Sequence, residues 1–541
     1  VSRLAGPSRI DRLIGVVSPE RALRRARARA ALEAWSSFTG APGYRGARGH
    51  RELRDWSTPT RSADADQLPR IERLRARSGD LVRNAPIAAG AIGTEVTSVV
   101  GGGLECQATI DREFLGLTEE QASAWERSAE RYWRLACCEI DFTRKNHFHE
   151  QTDLVLRSQL ERGDVLVVRR FGQRIRRGEL FRTKVQLVEA DRISTPRGRE
   201  NEEHLIEGVE VDPASGAHQR YWIRKSIDPR YVAEKTEWQS VPAYSRADGS
   251  RAAFLIYDRL RVDQTRGVPK LAPVIEILKQ LERYTEAEIA AAVVSSFFTV
   301  AIQSEDEEGL ASGGPSGEPD SSDPTDSEKR DLKLQPAGIL MLAENESASS
   351  LNPMRPNSSF DPFFLAVTRQ IGMALQIPHE VLIKHFQASY SAARAAMLDA
   401  WRYFLSRRSR VVREWCNPVY GWVISEAVAR GMLPAPGFFD DPVIRQAWLG
   451  TTWTGRPMGH VQPLQEINAV EKSIDLGIIS ESEATAEVRG ADWEAVQRRR
   501  ARDRALRGTF GLPDPGSSAR AAAAAAEADP ADDLPDEEDR A

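Results

Sequence analysis

From residue 154 to residue 262 the chain alternates apolar with polar residues, and helical patterning flanks this stretch on both sides. A period of two places every second side chain on one face of a strand, so the stretch must form sheet with a buried side. Asp164-Val165-Leu166-Val167-Val168-Arg169-Arg170 reads as a strand, and Lys184 to Glu189 alternates cleanly. Ile206 to Val211 is followed by Asp212-Pro213 and Ser215-Gly216, then by His218 to Ile223, which predicts a hairpin around a polar turn. Phe254 to Tyr257 closes the set. Neighbouring strands joined by short turns pair antiparallel, so the expected fold class is α+β, with helices before and after an antiparallel β region.

At 541 residues the chain exceeds what one core supports, so several domains are expected. Residues 1–62 read as an N-terminal arm whose arginines, Arg21 to Arg29, line a solvated helix face or touch neighbours or DNA. Gln67 to Asn84 and Ala85 to Val100 predict helices, stopped by Gly101-Gly102-Gly103, and Thr118-Glu119-Glu120-Gln121 opens another. Residues 271–302 predict a helix of roughly 30 residues, ~45 Å long at ~1.5 Å per residue. Residues 304–330 are acidic and rich in Gly, Ser and Pro, as in a flexible loop, and Ile339 to Leu342 is a strand candidate. Phe360 to Gln376 predicts a helix ended by Pro378, and Ser391 to Arg430 a long one kinked at Pro418. Residues 461–507 predict two more helices, and the residues after about 511 form a low-complexity Ala-rich and acidic tail, expected to be disordered.

The residue inventory excludes several activities. A net charge of -5 argues against binding nucleic acid through blanket basicity. Four cysteines, Cys106, Cys137, Cys138 and Cys416, are too scattered for a disulfide framework and suit a reducing compartment. The longest apolar stretch, Ala290 to Ile302, is too short for a membrane span, and no secretory signal is visible. There is no phosphate-binding Gly-x-x-x-x-Gly-Lys motif and no Gly-x-Ser-x-Gly elbow, so neither an ATPase motor nor a hydrolase is expected, and no cofactor. His147, His149 and Glu150 beside Cys137-Cys138 match no standard zinc spacing and read as a surface or interface group. Trp401, Phe404, Trp415 and Trp422 recur at helical spacing and read as core or subunit packing.

Four segments, in order, resemble the lambda-type family of phage portal proteins. The first is Arg266-Gly267-Val268-Pro269 with Leu271-Ala272-Pro273, leading into Leu281-Glu282-Arg283-Tyr284-Thr285-Glu286-Ala287-Glu288. The second, Ala388-Ser389-Tyr390-Ser391-Ala392-Ala393-Arg394-Ala395-Ala396-Met397, departs from the family pattern at Ala392, where Ser is usual. The third is Pro418-Val419-Tyr420 with Trp422. The fourth is Trp453-Thr454-Gly455 followed by Val461-Gln462-Pro463-Leu464-Gln465-Glu466, with Gln462 and Gln465 in place of the usual Asp and Lys.

The resemblance implies a portal fold: an α/β wing, a two-helix stem, a small α/β clip and a helical crown, in a ring-forming subunit of twelve copies. It divides the chain into a wing at 63–270, stem helices at 271–302 and 360–378, and a clip at 303–359. A tunnel loop follows at 379–393, then a long wing helix with its linker at 394–460 and a crown at 461–510. It also implies a non-enzymatic conduit for double-stranded DNA at a capsid vertex of the virion, assembled in the bacterial cytoplasm. The implied partners are other copies of the chain, terminase large subunit, a head-completion protein, the major capsid protein and scaffold, with no membrane. His385, Gln387, Ser389, Tyr390 and Arg394 are the residues expected near DNA; alternatively Tyr390 and Arg394 merely cap and pair at a helix start. Glu305, Asp306, Glu307 and Glu308 are the candidates for terminase docking, or simply a solvated loop. The competing reading is a capsid-assembly adaptor, or a component of a phage-like particle, without a DNA-conducting role.

Overall fold

The structure is a computed structural model. It describes residues 58–172, 178–225, 237–246, 249–296, 300–304, 346–350, 359–385, 390–457 and 463–511, with positions 18, 20, 24, 27, 28 and 56 before them. The chain divides into two compact units, Val1–Ser62 and Ala63–Ala541. Almost all of the first unit, where the arm is expected, lies outside the described residues, as do Glu305 to Glu308, Ile339 to Leu342 and the acidic tail.

The second unit mixes helix and antiparallel sheet, as the alternation demands. Its first helices are α1 (Ala63–Gln67), α2 (Ile71–Asn84) and α3 (Pro86–Val99). Pro86 occupies the first turn of α3, where its missing N–H costs nothing. After β1 (Glu105–Ala108) and α4 (Arg112–Leu115), α5 (Glu119–Cys137) opens on a reciprocal cap between Thr118 and Gln121. The next helix, α6 (Phe148–Arg162), is capped the same way by His147 and Glu150.

Strands β2 (Asp164–Phe171) and β3 (Thr183–Glu189) pair antiparallel, and β8 (Ala253–Tyr257) pairs on the other side of β2. A second antiparallel sheet takes the order β4 (Leu205–Ile206), β5 (Val209–Val211), β6 (His218–Arg224), β7 (Trp238–Pro242). Strand β2 is the central plank. Its Val165 and Val167 join the large helical core, and its Leu166 and Val168 join a smaller core with Tyr221, Ile223 and Val241 of the second sheet. Both faces are covered, which is why its sequence is a near-continuous apolar run.

Helix α7 (Ile275–Ser296) follows, then β9 (Val300–Ser304), paired antiparallel with β10 (Glu346–Ser350). Helices α8 (Phe360–Leu375), α9 (His379–Ile383), α10 (Tyr390–Val411) and α11 (Asn417–Ala429) come next, with a π-helical turn at Val412–Cys416 between the last two. The chain then forms α12 (Pro442–Trp448), β11 (Thr451–Thr454), which pairs antiparallel with β1, and α13 (Pro463–Asp475), α14 (Glu481–Arg489) and α15 (Trp493–Phe510).

Four expectations are corrected. The helix expected over 271–302 runs from Ile275 to Ser296, or ~33 Å, and Val300-Ala301-Ile302 lies in a strand. The span 379–393, expected as loop, begins with α9 and ends inside α10, because Pro378 starts a new helix after the left-handed Gln376. The sheet expected from residue 154 begins only at β2, because residues 154–162 belong to α6; at Pro418 the long helix passes through the π turn and Pro418 stands in the first turn of α11, where a missing N–H is tolerated. Residues 463–510 hold three helices where two are expected, since Ser480 and Asp492 each cap a new start.

Candidate functional site

The first of the four sequence motifs ends in a buried ionic pin. Arg266 is fully buried, and all of its five guanidinium N–H groups are donated. Nε and Nη2 reach the two oxygens of Asp164 at 2.7 and 3.0 Å; the rest go to the carbonyls of Ala190, Ile193 and Glu207 at 3.1, 3.2 and 2.6 Å. Asp164 also accepts from Arg75 Nη2 at 2.9 Å and from the Gly267 amide at 3.0 Å. Burial alone would raise the Asp164 carboxyl, but Arg266, Arg75 and the Gly267 amide hold it below the usual carboxylate range. Gly267 has to be glycine, because a Cβ there would meet the Gly163 carbonyl oxygen at 2.0 Å. Arg266-Gly267 thus ties α2, the edge of β2 and the second sheet to the turn that leads into α7.

A second cluster lies three residues on. Lys270 Nζ bonds Glu95 of α3 and the hydroxyl of Tyr403 on α10. The Tyr403 hydroxyl also donates to Glu95 at 3.0 Å, and Arg407 Nε stands 3.2 Å from the same carboxylate. Arg407 and Arg410 both pair with Asp258, just past β8. Burial pushes the Lys270 ammonium down, and Glu95 pulls against it. One helical turn away, Arg408 donates to the carbonyls of Val99 and Ser98 at 2.9 and 3.0 Å, placing a cation on the C-terminus of α3.

The remaining motifs meet on the same long helical run. Arg394 on α10 pairs with Glu466 on α13 at 2.6 Å, joining the second motif to the fourth. Trp453 Nε1 donates to Asn417 Oδ1 at 2.7 Å, joining the fourth to the residue before Pro418. Val419, Tyr420 and Trp422 are core residues, as are Phe404 and Trp415, while Trp401 packs half-buried against them. The aromatic stripe is packing, as its spacing suggests.

Of the DNA-facing candidates, Arg394 belongs to this run, where its guanidinium is engaged by Glu466 as the alternative of pairing at a helix start expects, and the others stand apart from these clusters. His385 is exposed just after α9, and its backbone N–H donates to the Glu380 carbonyl at 3.1 Å. Tyr390 is the first residue of α10, and Gln387 and Ser389 lie outside the described residues. Beside them α8, α9 and α10 frame an open groove of about 710 Å³, with Arg369, Met373, His379, Glu380, Asp399 and Arg402 on its walls. Gly372 lets the chain turn there, since a Cβ would meet the Ile377 carbonyl oxygen at 2.6 Å. The His147 and His149 rings lie 4.7 Å apart at the start of α6, and His147 Nδ1 accepts the His149 N–H at 3.2 Å. No group of three His, Cys, Asp or Glu suited to a metal occurs among the described residues.

Sequence reasoning missed Arg75, Glu95, Asp164 and Asp258. Only Asp164 carried a signal: a lone acid opening an apolar strand. The charged groups of the two clusters pair with one another across elements distant in sequence. This pairing fixes the angle at which helices leave the sheets.

Comparison with known proteins identifies such a frame. The model of the phage portal protein, lambda family, matches residues 49–408. The chain belongs to that family. It is similar to portal protein B of Escherichia phage lambda, 26% identical over 495 residues covering 87% of this chain and 90% of that one. It is similar also to the portal protein of Escherichia phage N15, 27% identical over 501 residues covering 88% and 93%. Among solved structures, the neck of a native gene transfer agent particle computed with C12 symmetry matches with a TM-score of 0.43 and 14% identity, covering 75% of this chain and 92% of that one. A native gene transfer agent virion matches with a TM-score of 0.42 and 13% identity, covering 82% and 94%. The family match ends at residue 408, so the third and fourth motifs lie beyond it. No described helix is long and apolar enough to cross a membrane.

Proposed function

We propose that the chain is one of twelve subunits of a portal ring at a single capsid vertex of a virion, a passive conduit for double-stranded DNA in packaging and ejection. The observation that carries this reading is the family match from residue 49 to 408, extended by relatives that align with nearly nine-tenths of the chain. In this reading residues 63–270 form the wing, and α7 and α8 form the stem. Residues 303–359 form the clip, where Glu305 to Glu308 meet terminase large subunit and later a head-completion protein. Residues 379–393 approach DNA, 394–460 return to the wing, and 461–510 form the crown. Major capsid protein and scaffold surround the ring during assembly in the bacterial cytoplasm. The subunit supplies no catalysis, so packaging energy comes from the motor that docks on it. A conduit should hold DNA loosely, since each phosphate contact adds salt-dependent affinity and many would stall a sliding duplex.

Mass photometry and negative-stain imaging test the ring: a closed oligomer with a hole wide enough for B-form DNA is expected, and a monomer under all assembly conditions would overturn the reading. The DNA-facing segment is tested by His385→Ala with Tyr390→Ala. Ring assembly should be intact and DNA packaging reduced at least tenfold; normal packaging would remove this segment from the channel. An oligomer without a hole would favour the adaptor reading instead.

A further inference from the structure

The last described helix, α15, carries arginines to which the described residues offer no ion pair. Its 18 residues include Arg498, Arg499, Arg500, Arg502, Arg504 and Arg507 against Glu494 and Asp503, a net of +4. Arg498, Arg499, Arg500, Arg502 and Arg504 are exposed, as are Leu506 and Phe510. Arg498 pairs with Glu494 within the helix, and the described residues offer no ion pair to Arg499, Arg500 or Arg502. Arg498 and Arg502, and likewise Arg500 and Arg504, are like charges four residues apart, which an isolated helix resists. A helix this exposed and this basic gains from an anionic partner that relieves the repulsion.

The sequence places such a cover next to it. Residues 512–541 hold Asp514, Glu527, Asp529, Asp532, Asp533, Asp536, Glu537, Glu538 and Asp539 against Arg520 and Arg540, a net of -7. Eight of the nine acids fall between 527 and 539, separated from the end of α15 by a stretch that is Pro, Gly, Ser and Ala apart from Leu512, Asp514 and Arg520. That spacer of about 16 residues spans up to ~55 Å extended, while α15 is ~27 Å long, so the acids reach every arginine on it. Tethering so short a segment gives an effective concentration in the millimolar range.

We propose that the acidic segment 527–539 docks on the arginine face of α15 in the same chain and masks it from other polyanions, double-stranded DNA in particular. The masking keeps a locally basic helix from gripping DNA at an end of a subunit whose overall charge is mildly negative. It does not depend on the ring: a monomer would mask its helix equally.

The test uses the full-length protein, a variant ending at Gly511, and a labelled peptide of residues 512–541. The peptide should bind the shortened protein at 50 mM salt with an affinity that falls at least tenfold by 200 mM, by fluorescence anisotropy. It should bind the full-length protein at least tenfold more weakly, because the site is already covered. Arg499→Gln, Arg500→Gln and Arg502→Gln together, in the shortened protein, should abolish binding while circular dichroism stays unchanged. A labelled 24-base-pair DNA should bind the shortened protein about tenfold more tightly than the full-length one. Failure of the peptide to bind, or equal binding to the glutamine variant, overturns the proposal. A gain in DNA affinity without peptide binding overturns it too, since general repulsion would then suffice.

Discussion

Replacing Asp164 with Asn tests the buried pin directly. The side chain keeps its shape and loses its charge. Asp164 accepts four hydrogen bonds: from Arg75, from Arg266 Nε and Nη2, and from the Gly267 amide. Three of them fall on Oδ2 and one on Oδ1. An amide must turn its NH₂ toward one of these donor sets, so at least one donor faces another donor. Two guanidiniums, both at most 3% exposed, then lack their counter-ion. Removing one partner of a buried ion pair costs about 3–5 kcal/mol. Asp164 lies in the unit Ala63–Ala541, and at an unfolding entropy of ~2.1 cal/mol/K per residue each kcal/mol lowers the Tm of so large a unit by about 1 °C, so a drop of roughly 3–5 °C is expected. Differential scanning fluorimetry with near-ultraviolet circular dichroism reads it, since Tyr221 and the aromatic core report on the sheets. A shift below about 2 °C would refute the reasoning. The control is Asp164→Leu with Arg75→Met and Arg266→Met, which removes all three charges together and should recover at least half of the loss.

Gly267→Ala should give little folded protein at 37 °C and a large loss of Tm by the same assay, because its Cβ would sit 2.0 Å from the Gly163 carbonyl oxygen and 2.6 Å from Tyr257 Cβ; a wild-type melting curve would contradict it. His218 is half-buried beside Tyr221 and Tyr257, and loss of solvent with the nearby Arg259 and Arg266 pushes its pKa down to about 4, against the weaker pull of Asp164 and Asp64. The unfolded chain therefore binds the extra proton first, and stability should fall as pH drops from about 6.5 toward 4. His218→Gln should flatten urea-denaturation stability across that window, and an unchanged slope would show that other groups carry it.

The class of the fold was legible because alternation is a strong signal where one sheet face is buried. Strand β2 was clear for a different reason: Val165 to Val168 are apolar on both faces, and both faces are covered. Helix α6 was not legible. Its buried positions are Phe148, Gln151, Thr152, Val155, Leu156, Gln159 and Leu160, a helical spacing in which three members are polar. Gln151 spends its amide on Asp141, and Thr152 accepts the indole N–H of Trp415 at 2.8 Å, so polar side chains stand in core positions for tertiary reasons. The acidic partners of the candidate site were hidden similarly. Glu95 sits among Ile92, Val96 and Val99 on the buried face of α3, and the distant Lys270, Tyr403 and Arg407 explain it. Family resemblance found Arg266-Gly267 and Arg394 as motif positions without saying what they hold.

What they hold is register. Apolar attraction is non-directional, so it fixes the register of a helix less sharply than hydrogen bonds and ion pairs do. The run from α10 to α11 is held by directed bonds along its length: Arg394 to Glu466, Tyr403 to Glu95, Arg407 to Asp258, Arg408 to Ser98 and Val99, Asn417 to Trp453, and Trp422 to the Arg251 carbonyl. A slip of one turn breaks all of them and leaves buried charges unpaired, at several kcal/mol each. In a closed ring the same slip would recur in every copy, and head-to-tail contacts that close at one subunit angle would fail to close at another. The cost of burying these charges is thus offset where a merely stable fold would not need it, in an assembly that tolerates a single subunit geometry.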